Sequence, residues 1–529
     1  MSDHDGSPCA THRPLSLDRE AAGPLHCGDS STGRDGSALL SVLALAACVT
    51  LALSCGPGAA GNAPGKVPIT TSSQAALRDY LKGRDLTEKL RGNEGHDYFQ
   101  SAAEHDPDFA LAYLGLASTA PSTGDFFRAI HQAVQLAGRV SPGEACVIRA
   151  AEADSQNNPA AQLEQLTTLV NAYPEDERAH TLLGHLYFES HQWEAAIREY
   201  RRATEINPDF SPAYNQLGYA FRYLGRYAEA EKAFKRYSEL IPDEPNPYDS
   251  YAELLMKVGR FEESIRQYQK ALDLDPNFLT AYVGMGNDYM LLGDYDEARR
   301  CFTKQRFIAR TDNERARSHV WAAISYLHQG ELEPGLAELG KAQDIAVKAQ
   351  DAFAQAGTLD LIGQVLLEAG RAEDAAKKFA EALAVLEHSS ATPEAMAAAR
   401  RRDLFNRARV ALGRSKLAEV DTLAAEYDRA VAVNQVPSEL RQAHEIAGLL
   451  DLAKGKAEDA VTELTQADQD DPRVLFNLGL AYEGTGRLAE AREAYVRAAD
   501  FNGLSFTYAA VRARALAKLA ELHAPSAPH

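Results

Sequence analysis

The feature that most constrains this chain is a pattern that recurs every 34 residues. The stretch YNQLGYAFRYLGRYAEAEKAF, residues 214–234, repeats the layout of HTLLGHLYFESHQWEAAIREY, residues 180–200. In both, an aromatic residue follows a Leu-Gly pair by three positions, and a second aromatic residue follows an alanine by four. Four prolines keep the same spacing: Pro174, Pro208, Pro242 and Pro276. A fixed period of this length predicts a stack of similar units, each in contact with its neighbours.

The composition of the chain predicts that these units are helical. Ala, Glu, Leu and Arg dominate long stretches, whereas runs of β-branched residues are almost absent. A chain of 529 residues would ordinarily divide into several separate cores. A stack of repeats grows without enlarging any single core, so this length fits one continuous array. The predicted fold class is therefore all-α.

Within one unit, residues 212–242, the residue types suit a pair of packed helices. Gly218 lies on the first helix, where the missing side chain lets the second helix approach, and Ala230 is predicted to meet that gap. Gly225 suits the turn between the helices. Pro242 ends the second helix because it has no amide hydrogen. Aromatic residues at helical spacing are predicted to fill the space between helices: Tyr214, Phe221, Phe234 and Tyr237.

These residues resemble the pattern of the tetratricopeptide repeat, a 34-residue helix–turn–helix unit, over residues 94–505. The resemblance implies a tetratricopeptide-repeat solenoid, a right-handed superhelix of antiparallel helix pairs, with about ten or eleven units. Longer spacings near residues 310 and 345–355 favour two arrays, residues 75–310 and 311–505. The alternative is that the second helices are longer there. Residues 506–529 are predicted to form a capping helix, which covers the last apolar face, and a tail.

The same resemblance implies a binding surface for proteins or peptides. In this family the first helices line a concave face, where partner segments usually dock. The family's groove positions fall on nine residues of this chain: Arg178, Thr181, His185, Asn215, Tyr219, Arg222, Asp249, Glu253 and Asn287. Members that clamp a carboxylate use Lys and Asn, but Thr181 and His185 stand at those positions here. That class of partner is therefore not expected.

The N-terminal region has a different composition. Residues 1–37 form a polar tail, residues 38–55 are ALLSVLALAACVTLALSC without a charge, and residues 56–74 are predicted to be a flexible linker. Two cysteines resemble the lipid-modified residue of bacterial lipoproteins, because Cys48 ends LAAC and Cys55 ends LALSC. The alternative is an uncleaved membrane anchor. Residues 1–74 are expected to carry no packed structure.

Charge and motifs argue against several other functions. The formal net charge of −20 does not suit nucleic-acid binding, which requires a basic surface. No phosphate-binding loop, dinucleotide-binding glycine pattern, HExxH or GxSxG motif occurs, so no catalytic residue and no cofactor are predicted. Cysteine and histidine spacings predict no metal site. The cysteines of the repeat region, Cys146 and Cys301, are predicted to be small core residues.

The sequence thus favours a non-catalytic scaffold, tethered to the cell envelope of a bacterium, that binds peptide or protein segments in its groove. The expected location is the membrane, with the repeats outside the cytoplasm in the periplasm, and the alternative is the cytoplasmic face. The alternative function is a sensor module that controls a separate kinase, cyclase or transcription factor. The oligomeric state and the identity of the partner stay open.

Overall fold

The structure is a computed structural model that describes residues 64–121, 123–156, 158–389, 391, 393–434 and 436–523. In these ranges the regular elements are helical throughout, and no strand occurs. Twenty-five α-helices follow one another, and a short 3₁₀ turn occupies Ala137–Arg139. The predicted all-α class is confirmed.

The helices form twelve consecutive antiparallel pairs and one further helix at the end. The first four pairs are α1 (Gln74–Glu88) and α2 (Gly92–His105), α3 (Ala110–Ser118) and α4 (Thr123–Leu136), α5 (Pro142–Ser155) and α6 (Pro159–Ala172), α7 (Glu177–Glu189) and α8 (Trp193–Ile206). The next four are α9 (Ser211–Tyr223) and α10 (Tyr227–Leu240), α11 (Asn246–Lys257) and α12 (Phe261–Leu274), α13 (Leu279–Leu292) and α14 (Tyr295–Ile308), α15 (Asp312–Gln329) and α16 (Leu332–Lys348).

The last part of the chain continues the pairing. Its helices are α17 (Ala352–Glu368) and α18 (Ala372–Glu387), α19 (Pro393–Gly413) and α20 (Leu417–Asn434), α21 (Pro437–Ala453) and α22 (Ala457–Gln466), α23 (Pro472–Gly484) and α24 (Leu488–Ala499), then the single helix α25 (Phe506–His523). The prediction of ten or eleven units falls short of the twelve pairs. One reason is that a pair such as α19 and α20 has Ala411 where other units have a marker glycine.

The two helices of a unit meet at a glycine, but the prediction that Ala230 fills the gap above Gly218 is wrong. The ring of Phe234 occupies that gap, and a β-carbon built on Gly218 would lie 2.4 Å from its Cε1. Ala230 is buried elsewhere in the same interface. A ring fits because it is flat and slides over the bare helix backbone, whereas an alanine methyl is too short to fill the space.

This glycine-to-ring contact recurs along the stack with the ring 16 residues after the glycine. Four further pairs show it: Gly184 with Tyr200, Gly286 with Phe302, Gly363 with Phe379, and Gly479 with Tyr495. These four rings are nearly inaccessible to solvent. Burying an aromatic side chain is among the larger contributions to core stability, so this contact is the repeated unit of the core.

The linker prediction for residues 56–74 is wrong in its C-terminal part. The backbone N–H of Val67 donates to Asp176 Oδ2 at 2.9 Å, and Val67 is buried. Thr70 N donates to Glu144 Oε1 at 2.7 Å. The side chain of Lys66 pairs with Glu177. We call residues 66–73 the N-terminal strap, because they lie across the beginnings of α5 and α7.

The amino-acid composition of the strap did not reveal its packing, because the carboxylates that hold it are more than 70 residues away in the sequence. The tail of residues 1–37, the apolar run of residues 38–55 and both lipidation candidates, Cys48 and Cys55, lie outside the described residues. Among the residues that the structure describes, no helix has the length and apolar content needed to cross a membrane.

Candidate functional site

The first helices of the units, α1 and every second helix up to α23, form one side of the stack. Neighbouring first helices contact each other, as α11 does with α13 and α19 with α21, and no comparable contact joins neighbouring second helices among the described ones. The stack is therefore narrower on the side of the first helices. We call this side the concave face, and all nine predicted site residues belong to its helices.

The concave face buries most of the predicted site residues. Six are buried: Arg178, Thr181, His185, Asn215, Asp249 and Asn287. Three are partly exposed: Tyr219, Arg222 and Glu253. The face is therefore narrow, and a partner reaches mainly the second group directly.

The side chain of Arg178 contacts other residues of the same chain. Its Nε donates to Glu88 Oε1 at 2.9 Å, and its Nη1 donates to Glu177 Oε1 at 2.6 Å. Its guanidinium also lies 4.8 Å from the centre of the Phe210 ring. Burial lowers the pKa of Arg178, but the charges of the two glutamates outweigh it, so the pKa is raised. Arg178 thus joins α7 to α1.

Thr181 and His185 are also engaged within their own unit. The Thr181 hydroxyl donates to the Glu177 carbonyl at 2.7 Å. His185 Nδ1 lies 3.3 Å from the Tyr200 hydroxyl. Burial lowers the pKa of His185 to about 4, so this imidazole stays neutral at physiological pH. His185 thus links α7 to α8, whereas the Thr181 hydroxyl is satisfied within α7.

Arg222, Tyr219 and Glu253 form a polar cluster between neighbouring units. Arg222 Nη1 donates to Glu253 Oε2 at 3.0 Å, and its guanidinium lies 4.9 Å from the centre of the Tyr219 ring. The Tyr219 hydroxyl donates to Ser250 Oγ at 3.2 Å. Burial lowers the pKa of Arg222, but Glu253 outweighs it and the pKa is raised. The cluster is half-buried.

Beside this cluster, three buried oxygen atoms have no hydrogen-bond partner. They are Asn215 Oδ1 on α9, Asp249 Oδ1 on α11 and Asn287 Oδ1 on α13. Burial, and then the charge of Glu253, raise the pKa of Asp249 well above its ordinary value. A buried acceptor without a donor costs about 1–3 kcal/mol. Three consecutive first helices therefore each carry one buried, unsatisfied acceptor beside the polar cluster.

The middle of the array is covered by the chain itself. We call residues 501–508 the closing segment; they run from the loop after α24 into the first turn of α25. Lys257 Nζ donates to the Phe501 carbonyl at 2.8 Å and lies 4.8 Å from the centre of the Phe501 ring. Asn502 Nδ2 donates to the Lys257 carbonyl at 3.3 Å. These groups are more than 240 residues apart in the sequence.

Apolar contacts extend this closure over three first helices. Phe501, Phe506 and Tyr508 pack in one cluster with Met256 of α11 and Met290 of α13. The Tyr508 ring meets the ring of His328, at the end of α15, edge to face with centres 5.5 Å apart. The closing segment therefore rests on the C-terminal ends of α11, α13 and α15.

The C-terminal part of the concave face is apolar. A hollow of about 420 Å³ is lined by Leu412, Leu449, Leu452, Ala453, Asn477 and Leu480. We call it the leucine hollow, and it lies between α19, α21 and α23. Buried ion pairs accompany it: Arg473 with Glu445 at 2.9 Å and Arg409 with Glu368 at 3.0 Å. Burial, and then the nearby charge of Arg473, lower the pKa of Arg409 to about 10.

Family models match the same helices that build this face. A model described as TPR repeat matches residues 184–222 and 252–293. Models described as tetratricopeptide repeat match residues 283–346, 447–503 and 211–244. The matches occur on both sides of residue 310 and include α11, α13, α21 and α23. The chain is a tetratricopeptide repeat protein.

Solved structures of other tetratricopeptide repeat proteins are similar to parts of the chain. One from Parabacteroides merdae is 16% identical with a TM-score of 0.37, and 50% of this chain and 99% of that chain are covered. YrrB, described as a TPR protein with an unusual peptide-binding site, is 21% identical with a TM-score of 0.27, covering 36% and 96%. MamA from Desulfovibrio magneticus is 17% identical with a TM-score of 0.29, covering 32% and 95%.

The search of curated proteins gave no match.

Sequence reasoning missed the leucine hollow, although the repeat carries a signal for it. Leu412, Leu449 and Leu480 each follow the small residue that packs against the second helix of the unit. In the N-terminal units the same position holds polar residues, His185, Tyr219 and Glu253 among them. A comparison of this one repeat position along the chain would have revealed the change from polar to apolar.

The remaining site predictions concern cysteines and metals. Cys301 is buried, which confirms a core position, and Cys146 is half-buried against the N-terminal core. No group of three or more His, Cys, Asp or Glu side chains suited to a metal ion occurs among the residues the structure describes.

Proposed function

We propose that this chain is a non-catalytic scaffold that binds an extended segment of another protein along α9, α11 and α13. The observation that carries the proposal is the half-exposed polar cluster of Tyr219, Arg222 and Glu253 on the concave face. An extended segment has free backbone N–H and C=O groups on each side, and Glu253 and Arg222 would form hydrogen bonds with them. The adjacent Arg222 and Tyr219 would contact its side chains.

Site-specific photo-crosslinking tests this proposal. A benzoylphenylalanine at Tyr219 replaces one aromatic side chain by another on the concave face. The matched probe replaces Lys232, an exposed residue of the second helix α10. We expect the probe at Tyr219 to capture a protein from cells and the probe at Lys232 to miss it. Capture of the same protein by both probes, or by neither, would contradict binding on this face.

Alanine substitutions at Asn215 and Arg222 identify the contacts. Each should weaken binding of the captured partner about tenfold, because about 1.4 kcal/mol is a typical loss for one charged or buried hydrogen bond. The circular dichroism spectrum of each variant must match that of wild type, which shows that the fold is retained. The control is Lys232→Ala, which should leave the affinity at the wild-type value. If all three variants bind the partner with equal affinity, the partner does not bind at Asn215 and Arg222.

We also propose that the scaffold is tethered to the bacterial cell envelope through Cys48 or Cys55. The sequence pattern of residues 38–55 supports this, with the repeats outside the cytoplasm. Metabolic labelling with radioactive palmitate, together with Cys48→Ser and Cys55→Ser variants, identifies the modified residue. Label retained in both single variants and in the double variant would exclude lipidation at these sites. Protease accessibility in intact spheroplasts distinguishes the periplasm from the cytoplasmic face.

The leucine hollow favours a second candidate function, a sensor that controls a separate kinase, cyclase or transcription factor. Its volume lies in the range of small-molecule sites, and its lining is largely apolar. A rise in the fluorescence of an apolar dye with wild type but not with Leu449→Glu would support a small-molecule site there. Leu516→Glu, at an exposed leucine of α25, is the control. Equal dye binding by all three proteins would contradict the sensor.

A further inference from the structure

We propose that the closing segment, residues 501–508, is an internal ligand of the concave face and that a partner segment with the same chemistry displaces it. That chemistry is an aromatic residue followed by Asn-Gly and a second aromatic residue. This inference rests on the proposed function, because it concerns regulation of the same face. It names the middle of the face, α11, α13 and α15, as a site that is blocked until a partner competes.

The contacts of the closing segment are those of a bound peptide rather than of a further repeat. Its backbone carbonyl at Phe501 accepts from Lys257 Nζ, and the Phe501 ring lies against the same ammonium group. Asn502 donates from its side chain to a backbone carbonyl of α11. Main-chain hydrogen bonds combined with an aromatic anchor are how extended segments are generally recognised.

The segment holds this shape through a turn of its own. Asn502 has φ of +49°, in the left-handed region that asparagine tolerates better than most residues. Tyr508 donates from its hydroxyl to the Ala499 carbonyl at 2.6 Å. The rings of Phe501 and Tyr508 lie 5.5 Å apart. The turn therefore brings both aromatic anchors to one side, towards α11 and α15.

The site beneath the segment suits an aromatic partner specifically. Lys257 is half-buried, and desolvation, then the charge of Arg222, lower the pKa of its ammonium group. A ring face and a carbonyl oxygen are both attractive to a cation of this kind. The surrounding side chains, Met256 and Met290, are flexible and adapt to rings of different shape. An acidic or aliphatic segment would lose the contact between ring and ammonium group.

Few polar contacts hold the closure. Five of the eight residues of the closing segment are half-buried, whereas Asn502, Thr507 and Tyr508 are buried. The segment carries no charged side chain, so no salt bridge holds it. Its contacts with α11 are two hydrogen bonds with Lys257 and the packing of its rings, and a competing segment would have to replace both.

A labelled peptide tests the inference with the full-length chain. The probe is a fluorescein-labelled synthetic peptide of residues 499–510, and the readout is fluorescence anisotropy. Three proteins are compared: wild type, the opened variant Phe501→Ala/Phe506→Ala, and the opened variant carrying Lys257→Ala as well. We expect the opened variant to bind the peptide at least tenfold more tightly than wild type, and the added Lys257→Ala to abolish that gain.

Two controls separate the inference from general damage. Phe307→Ala, at a residue 83% exposed, should leave peptide binding at the wild-type level. A peptide with alanine in place of Phe501 should bind none of the proteins. Hydrogen exchange should show α11 and α15 losing protection at their C-terminal ends in the opened variant while α7 keeps it. If the double variant does not fold, Asn502→Ala opens the turn with a smaller change.

The outcomes distinguish this inference from the proposed function. Equal peptide affinity for wild type and a folded opened variant would overturn the internal ligand, even if crosslinking at Tyr219 succeeds. Tighter binding by the opened variant, lost again with Lys257→Ala, would support the internal ligand even if the probe at Tyr219 captures nothing. In that case partner binding would belong to α11, α13 and α15 instead.

Discussion

The ring of Phe234 lies over Gly218 so closely that a β-carbon at Gly218 would come within 2.4 Å of the ring. Both residues are buried in the contact between α9 and α10. The closest atoms are part of a ring already packed on other sides, so the ring has little room to move away. This pair sets the distance between the two helices of its unit.

Gly218→Val should therefore destabilise the protein by about 1–3 kcal/mol, as overpacking of a core does. The added side chain would push the Phe234 ring outwards and separate α9 from α10. The measurement is thermal unfolding followed by circular dichroism. The matched control is Gly340→Val in the middle of α16, where an added β-carbon meets nothing within 4 Å. Equal shifts for the two variants would show that the close contact is not the cause.

Arg178→Met should cost about 3–5 kcal/mol, because removing one member of a buried ion pair leaves the other without a counter-charge. Glu88 and Glu177 would both lose their contacts with the guanidinium. Arg198→Met, at an exposed arginine of α8, is the control and should change stability little. Denaturant unfolding of both variants provides the comparison. An unfolding midpoint for Arg178→Met as high as that of the control would contradict a structural role.

Asp288 should make the stability depend on pH. Burial, and then the charge of Glu262, raise the pKa of Asp288 to about 8, whereas an unfolded aspartate titrates near pH 4, about 3.9. The unfolded state therefore releases the proton first. The contribution of protonated Asp288 to the free energy of unfolding is fully present below about pH 4. It is lost as the pH rises towards about 8.

Asp288→Asn should remove this dependence and raise the unfolding temperature at pH 8 relative to wild type. At pH 4 the two proteins should differ little. Asp273→Asn, at an exposed residue of α12, should keep the wild-type pH profile. A parallel pair of pH profiles for wild type and Asp288→Asn would show that Asp288 titrates normally.

Asp176 joins the N-terminal strap to α7, and its substitution should release the strap. Its Oδ2 accepts from Val67 N, while its Oδ1 accepts from Arg178 N and Ala179 N at the helix start. Asp176→Ala should cost about 1–2 kcal/mol, the usual loss for a helix cap. Trypsin should then cleave after Lys66 faster than in wild type. Asp209→Ala, at an exposed carboxylate before α9, should leave that cleavage rate unchanged.

The sequence predicted the period and register of the fold because both are local properties. The glycine, the aromatic residues and the proline recur at fixed distances, and each acts on a helix or turn within its own unit. Cys301 in the core follows from the same local pattern. Most of the failures concern contacts between residues far apart in the sequence. One failure lies within a unit: the sequence places both Ala230 and Phe234 between the helices, but only the reach of the side chain decides which of them covers Gly218.

What the sequence by itself determined is a stack of helical tetratricopeptide repeats with a defined face of first helices. What only the tertiary structure decided is how that face is used. Arg178 is taken up by Glu88, ninety residues earlier, and the middle of the face is covered by residues more than 240 positions later. The physical reason is that a repeat encodes contacts with its neighbours, whereas the closure depends on how the small rotation between units accumulates along the whole array.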